Sequence, residues 1–144
     1  MNTDIMFSSK KQDWTTPKEF FKKLDDEFHF TLDAAASDEN ALCKDYFTEK
    51  DNALVQKWTG IVWLNPPYGR ELKHWVKKAH DEVQNGNAEM VVMLVPSRTD
   101  TVYWHEYIMK VDIRFIKGRL KFCDGKNPAP FPSAVVIFKL NNGA

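Results

Sequence analysis

Ile61-Val62-Trp63-Leu64-Asn65-Pro66-Pro67-Tyr68-Gly69 is a run of four apolar residues that stops at two consecutive prolines. An unbroken apolar run of this length, ended by residues that cannot donate to a sheet ladder, reads as a strand buried on both faces. Downstream, Arg70 to Gln84 predicts a helix: Leu72, Trp75, Val76, Ala79 and Val83 share one face, while Lys73, Lys77, Lys78, Asp81 and Glu82 turn to water. Asn85-Gly86-Asn87 stops it, and Met90 to Val95 is a second fully apolar strand, broken at Pro96. Ser97-Arg98-Thr99-Asp100 then opens a helix carrying Tyr103, Trp104, Tyr107 and Ile108. Strand, helix, strand, helix is the pattern of parallel βαβ units.

Upstream, Thr16-Pro17-Lys18-Glu19 has the form of a capping box, with Thr16 as N-cap and Pro17 at the first helical position. Phe20, Phe21, Leu24 and Phe28 make one face of the helix that follows. Phe28 to Asp33 suits a strand ending on a carboxylate, followed by the small-residue turn Ala34-Ala35-Ala36-Ser37. Between residues 38 and 58 periodicity is weak; Cys43 to Thr48 could form a short strand and Ala53 to Trp58 a single helical turn. Toward the other end, Asp112 to Ile116, a Lys117-Gly118 turn, Arg119 to Cys123 and Ser133 to Leu140 predict an antiparallel element separated by the proline-rich loop Asn127 to Pro132. The expected architecture is an α/β domain with a mixed sheet flanked by helices.

A length of 144 residues fits a single domain. The expectation is a loose tail over residues 1–12 and one domain from 13 to 144, with no separate module for target recognition. Hydrophobic residues at 43% and charged residues at 28% exclude disorder and coiled coil. No stretch approaches the ~20 apolar residues of a membrane span, and the first residues lack a signal peptide's apolar run, so a cytoplasmic protein is expected. Cys43 and Cys123 are eighty residues apart and His29, His74, His80 and His105 show no ligand spacing, so neither disulfide nor metal is signalled. Charge is balanced overall at 20 against 20, but residues 1–64 hold 8 basic and 12 acidic groups and residues 65–144 hold 12 and 8. All four arginines, Arg70, Arg98, Arg114 and Arg119, lie in the basic half, as a face for phosphates would require.

In open α/β sheets ligands gather outside the carboxyl ends of the strands, which here are Asp33, Asn65-Pro66-Pro67-Tyr68 and Pro96-Ser97. Asn65 brings an amide to a strand end, the prolines fix the backbone, and Tyr68 offers a flat ring, a set suited to a planar amine or amide. If the ligand is a flipped-out adenine, its exocyclic amine would donate to the Asn65 side chain and the Pro66 carbonyl while the ring stacks on Tyr68. Holding both protons of a weakly nucleophilic amine opposite a cationic methyl donor supplies orientation and electrostatic help together. The plain alternative is a Pro-Pro turn after a core strand, with Tyr68 as packing. Trp14 reads equally as a staple before the first helix or as a ligand cover.

Trp14-x-Thr16-Pro17, Leu32-Asp33-x-Ala35-Ala36, Asn40, Tyr46-Phe47-Thr48, Trp58, Asn65 to Gly69, Leu94 to Thr101, and Gly118-Arg119-Leu120-x-Phe122 together resemble the phage-type (Dam-like) DNA N-6-adenine methyltransferase family. The resemblance runs from about residue 13 to 139 and implies a Rossmann-like methyltransferase fold, S-adenosylmethionine as donor, DNA as partner and adenine as acceptor. By the same resemblance Asn65, Pro66, Pro67 and Tyr68 form the catalytic motif, and Trp14, Thr16, Pro17, Asp33, Asp51 and Asn65 face the donor. Tyr68, Arg98 and Arg119 are the residues expected against the substrate. Two features depart from the methyltransferase pattern: Ala34-Ala35-Ala36-Ser37 stands where a GxG loop is usual, and only 18 positions separate Asp33 from Asp51. Asp38, Glu39 and Asp45 are further candidates for the donor's ribose. Methylation of another planar nitrogen, in cytosine or a protein glutamine, and a DNA-binding module of the same fold that has lost activity are the competing readings.

Overall fold

The computed structural model of the chain describes residues 14–125 and 127–140; the expected tail over residues 1–12 lies outside them. Five strands form one open sheet: β1 (Leu32–Asp33), β2 (Gly60–Leu64), β3 (Ala88–Pro96), β4 (Asp112–Phe115) and β5 (Ser133–Lys139). Their spatial order is β1-β2-β3-β5-β4. β1, β2 and β3 are parallel, and β5 is antiparallel to both β3 and β4. The carboxyl ends of the three parallel strands therefore share one edge, where Asp33, Asn65 and Ser97 follow one another in space.

Alternation along the strands sends side chains to two separate cores. Val62, Leu64, Val91, Met93, Val95, Ala134, Val136 and Phe138 pack beneath helix α2 (Leu72–Gln84) and the short α3 (Val102–Glu106). Trp63, Val92, Leu94, Val135 and Ile137 meet α1 (Lys18–Phe28), Phe122 and Ala129 on the opposite face. With both faces covered, the central strands must be apolar throughout, which is why Ile61 to Leu64 and Met90 to Val95 lack alternation in their sequence.

Several local expectations are corrected. α1 starts at Lys18 with Pro17 in the capping position, where it has no side-chain oxygen to offer; Thr16 is not the N-cap. The first strand is only two residues long, because α1 continues through Phe28 and His29 closes it in the left-handed region at φ 61°. Cys43 to Thr48 yields a single parallel bridge, Asp33 to Tyr46, along the outer edge of β1. Arg119 to Cys123 is not a strand. Phe122 is buried, a 3₁₀ turn spans Phe122–Asp124, and Cys123 sits at φ 59° with its N–H on the Thr15 carbonyl at 2.8 Å. Glu82, expected in water, is buried: it accepts the backbone N–H of Trp58 at 2.6 Å and pairs with Lys78 at 3.3 Å. Among the described residues no helix is long and apolar enough to cross a membrane.

Candidate active site

A cleft of about 680 Å³ opens at the shared edge of β1 and β2. One wall is the turn Ala34 to Asn40, a second is Thr48 to Leu54 without Asp51, and the third is Asn65-Pro66-Pro67 with Glu71 and Trp75 at the start of α2; Trp14 completes the lining. The sequence-expected residues Trp14 and Asn65 thus line it, along with the prolines.

Asn65 is held from both ends. Its side-chain nitrogen donates to the Trp14 carbonyl at 2.7 Å and to the Thr16 hydroxyl at 3.0 Å, while its oxygen accepts the Tyr68 hydroxyl at 2.5 Å. The Tyr68 hydroxyl is also 3.1 Å from the Leu94 carbonyl. Burial pushes the Tyr68 phenol well above its ordinary range, with Arg98 acting weakly in the other direction, so the hydroxyl keeps its proton and can donate.

The ring of Tyr68 lies in an aromatic group. Trp14 is near-parallel at 6.4 Å, and Phe122 and Phe131 meet Tyr68 edge-on at 6.2 and 5.8 Å. Trp14 in turn touches Phe122 at 5.3 Å and Phe131 at 5.0 Å. Phe122 comes from the segment expected as a strand and Phe131 from the proline-rich loop. A base reaching the Tyr68 ring must displace or slip beside these neighbours.

Asp33 is 3% exposed and does not line the cleft. Its carboxylate reaches back into the turn, accepting the N–H of Leu42 at 3.1 Å and of Ala35 at 3.3 Å. Burial raises its pKa to about 6, the two amides opposing that rise. Asp33 therefore fastens the wall that Ala34 to Asn40 present. Asp51 is exposed and turned inward to Thr48, whose backbone N–H and hydroxyl it accepts at 2.8 and 3.1 Å. Thr48-Glu49-Lys50-Asp51 is a capping box, a pattern legible in the sequence, and it assigns Asp51 to holding a turn. Pro17 is buried at the start of α1, and Thr16 touches Asn65 from outside the cleft lining.

Of the other acidic candidates, Asp38 and Glu39 line the cleft and Asp45 does not; Glu49 and Glu71, which no motif marks, do. Trp75, read as core, is both buried and part of the lining, and its indole N–H has no hydrogen-bond partner among the described residues. Arg98 follows β3 and Arg119 follows β4, both exposed, with Arg119 donating to the Ala129 carbonyl at 3.3 Å. Backbone bonds from Ser97 to Pro132 and from Ile116 to Ser133 bring these two segments together outside the sheet edge. No group of acidic, histidine and cysteine side chains among the described residues is arranged to hold a metal ion.

A mixed α/β sheet with an Asn-Pro-Pro-Tyr corner beside a cleft at its carboxyl edge defines a domain of the methyltransferase class. The chain belongs to the DNA N-6-adenine-methyltransferase (Dam) family, whose model matches residues 4–136. It is similar to the DNA N-6-adenine-methyltransferase of Escherichia phage T1, with 37% identity over 96 residues, covering 65% of this chain and 39% of that protein's length. It is also similar to YfdM of Escherichia coli (strain K12), with 36% identity over 63 residues, covering 38% of this chain and 69% of that protein.

Proposed function

We propose that this chain transfers a methyl group from S-adenosylmethionine to the exocyclic amine of adenine in DNA, on a compact Rossmann-like sheet. The observation that carries the reading is the position of Asn65-Pro66-Pro67 at the end of a doubly buried strand and on the wall of a cleft, with Tyr68 outside the lining and hydrogen-bonded to Asn65. The sheet order, with one antiparallel strand beside parallel β3, supports the Rossmann-like assignment.

The residues present fit the donor. At about 680 Å³ the cleft is of the size that small molecules of this class occupy, roughly 300–1,000 Å³. Ala34, Ala35 and Ala36 keep the turn after β1 small, which does part of the work of a glycine loop. Asp38, Glu39, Glu49 and Glu71 give the lining carboxylates for ribose hydroxyls and cationic groups, and the Trp75 indole offers a donor and an apolar wall. When bound, S-adenosylmethionine supplies an electrophilic methyl group on a positively charged sulfur.

The chain's part is to present the acceptor. Asn65 accepts one amine proton at its side-chain oxygen and the Pro66 carbonyl accepts the other, which turns the nitrogen lone pair toward the methyl group. Tyr68 packs against the base, and Arg98 and Arg119 meet phosphates, which position DNA without reading its sequence. The nitrogen–methyl bond forms as the sulfur–methyl bond breaks, and a proton leaves the alkylated amine for solvent. The reaction belongs where DNA and donor meet, the cytoplasm, or the host's if a phage encodes the chain.

The test is incubation of the protein with labelled S-adenosylmethionine and unmethylated duplex DNA, followed by mass analysis of the digested nucleosides. N-6-methyladenine that disappears with Asn65→Ala is expected. Donor binding with no methyl group on adenine, or methyl groups on cytosine or protein glutamine instead, would overturn the assignment.

A further inference from the structure

We propose that Thr16 is a positioning residue: with the Trp14 carbonyl it fixes the side-chain amide of Asn65 so that only the oxygen faces the acceptor amine, and this clamp makes asparagine the residue the corner requires. The inference deepens the function proposed above and rests on it for its kinetic readout.

The argument starts from donors and acceptors. A backbone carbonyl can only accept, so the Trp14 carbonyl at 2.7 Å places the nitrogen of Asn65 on that side. The Thr16 hydroxyl, 4% exposed residue and 3.0 Å away, takes the second proton of the same nitrogen. Both amide protons are then committed, and the oxygen is left on the opposite side, where the Tyr68 hydroxyl occupies it at 2.5 Å. The tyrosine proton has a second acceptor in the Leu94 carbonyl at 3.1 Å, so an arriving amine can take the Asn65 oxygen while the tyrosine stays hydrogen-bonded.

Donation from the nitrogen also shifts electron density onto the amide oxygen and makes it a better acceptor, the usual cooperativity of hydrogen-bonded chains. An aspartate at position 65 would set a carboxylate oxygen against the Trp14 carbonyl with no proton between them. The sequence Thr16-Pro17-Lys18-Glu19 could have capped α1, yet the helix begins with Pro17 in the capping position and the Thr16 hydroxyl turns to Asn65. A helix that forgoes a cap worth about 1 kcal/mol leaves this hydroxyl for another use.

The test compares Thr16→Val, Thr16→Ser and the wild-type chain. Thr16→Val is expected to lower kcat about tenfold, the effect of one ordinary orienting hydrogen bond, while KM for DNA and donor affinity by calorimetry stay within roughly twofold. Thr16→Ser restores the wild-type rate. Independently of turnover, the Asn65 side-chain protons of ¹⁵N-labelled protein, assigned by their loss in Asn65→Ala, exchange slowly in the wild-type chain, and one of the pair becomes fast in Thr16→Val. An unchanged kcat in Thr16→Val, a failure of serine to rescue, or fast exchange of both protons in the wild-type chain overturns the clamp. A wild-type chain that leaves adenine unmodified but keeps its slow Asn65 protons sinks the proposed function and not the clamp.

Discussion

On one side of the cleft, Asn65 to Tyr68 issue from β2, whose Val62, Trp63 and Leu64 are completely buried; on the other, residues 34 to 55 form only short 3₁₀ turns and a single bridge, and the buried Asp33 carboxylate is tied to the N–H groups of Ala35 and Leu42. The first wall is positioned by packing in two cores, and the second by Ala34, Ala53 and Leu54 against one core together with hydrogen bonds, those to Asp33 among them. Packing is indifferent to pH and resists single changes at its edge, whereas a wall fastened by one ionisable group answers to that group's protonation. Acceptor chemistry and donor affinity should therefore fail separately.

The largest expected effect sits on the packed wall. On the proposed function, Asn65→Ala removes the acceptor for the reacting amine and should lower kcat by about 10²–10³-fold with little change in donor affinity by calorimetry. A matching loss of donor affinity would show that the two walls are not independent. Next comes Asp33→Ala, which frees the N–H groups of Leu42 and Ala35. Donor affinity should fall roughly tenfold to a hundredfold, as the loss of two charge-assisted hydrogen bonds allows, while the Asn65 side-chain protons keep their slow exchange.

A smaller effect follows from pH. The Asp33 carboxyl has its pKa raised from 3.8 to about 6 on folding, so the folded state favours its protonated form. Its contribution to stability is fully present below pH 3.8 and is lost as pH rises through about 6. Thermal unfolding of the wild-type chain relative to Asp33→Asn should accordingly shift in the wild type's favour as pH falls across that window. Donor affinity should move the opposite way, since protonation weakens the grip on the two amides. Loss of donor affinity together with loss of relative stability on acidification would contradict this assignment of Asp33.

The smallest effect is chemical. Cys43 is half-buried beside Asp33, and burial together with the charges of Asp33, Asp25 and Asp45 pushes its thiol up to about 12. Alkylation at pH 8 should label exposed Cys123 well before Cys43, and peptide mapping of a time course measures the ratio. Comparable rates would mean that the Asp33 wall opens freely.

The packed wall was also the readable one. The apolar runs at Ile61 and Met90, the punctuation by Pro66, Pro67 and Pro96, and the periodicity of Leu72 to Val83 are local signals of burial, and each gave its element within a few residues. The fastened wall was not readable to the same degree, because hydrogen bonds that Leu42 and Ala35 donate to Asp33 leave no period in a sequence. Thr16 shows the same limit from another side: its capping-box pattern is sound local chemistry, outcompeted by an asparagine 49 residues away. Arg119 to Cys123 has strand-like composition, but Phe122 finds more burial against Trp14 and Tyr68 than a ladder at the sheet edge would give it. The burial of Glu82 escapes the sequence because a charged residue beside an apolar stripe looks solvated, and its partner, the N–H of Trp58, lies 24 residues away.

The position of β5 bears on how the protein is made. The strand that comes last along these residues lies inside the sheet, between β3 and β4. During synthesis both neighbours emerge first and must wait with open ladders, the kind of long-range pairing that folds slowly and invites association with other chains. A message broken before codon 133 would yield polypeptides carrying the whole Asn-Pro-Pro-Tyr corner but missing the middle of its support. Such fragments are expected to collect as insoluble material rather than as folded protein.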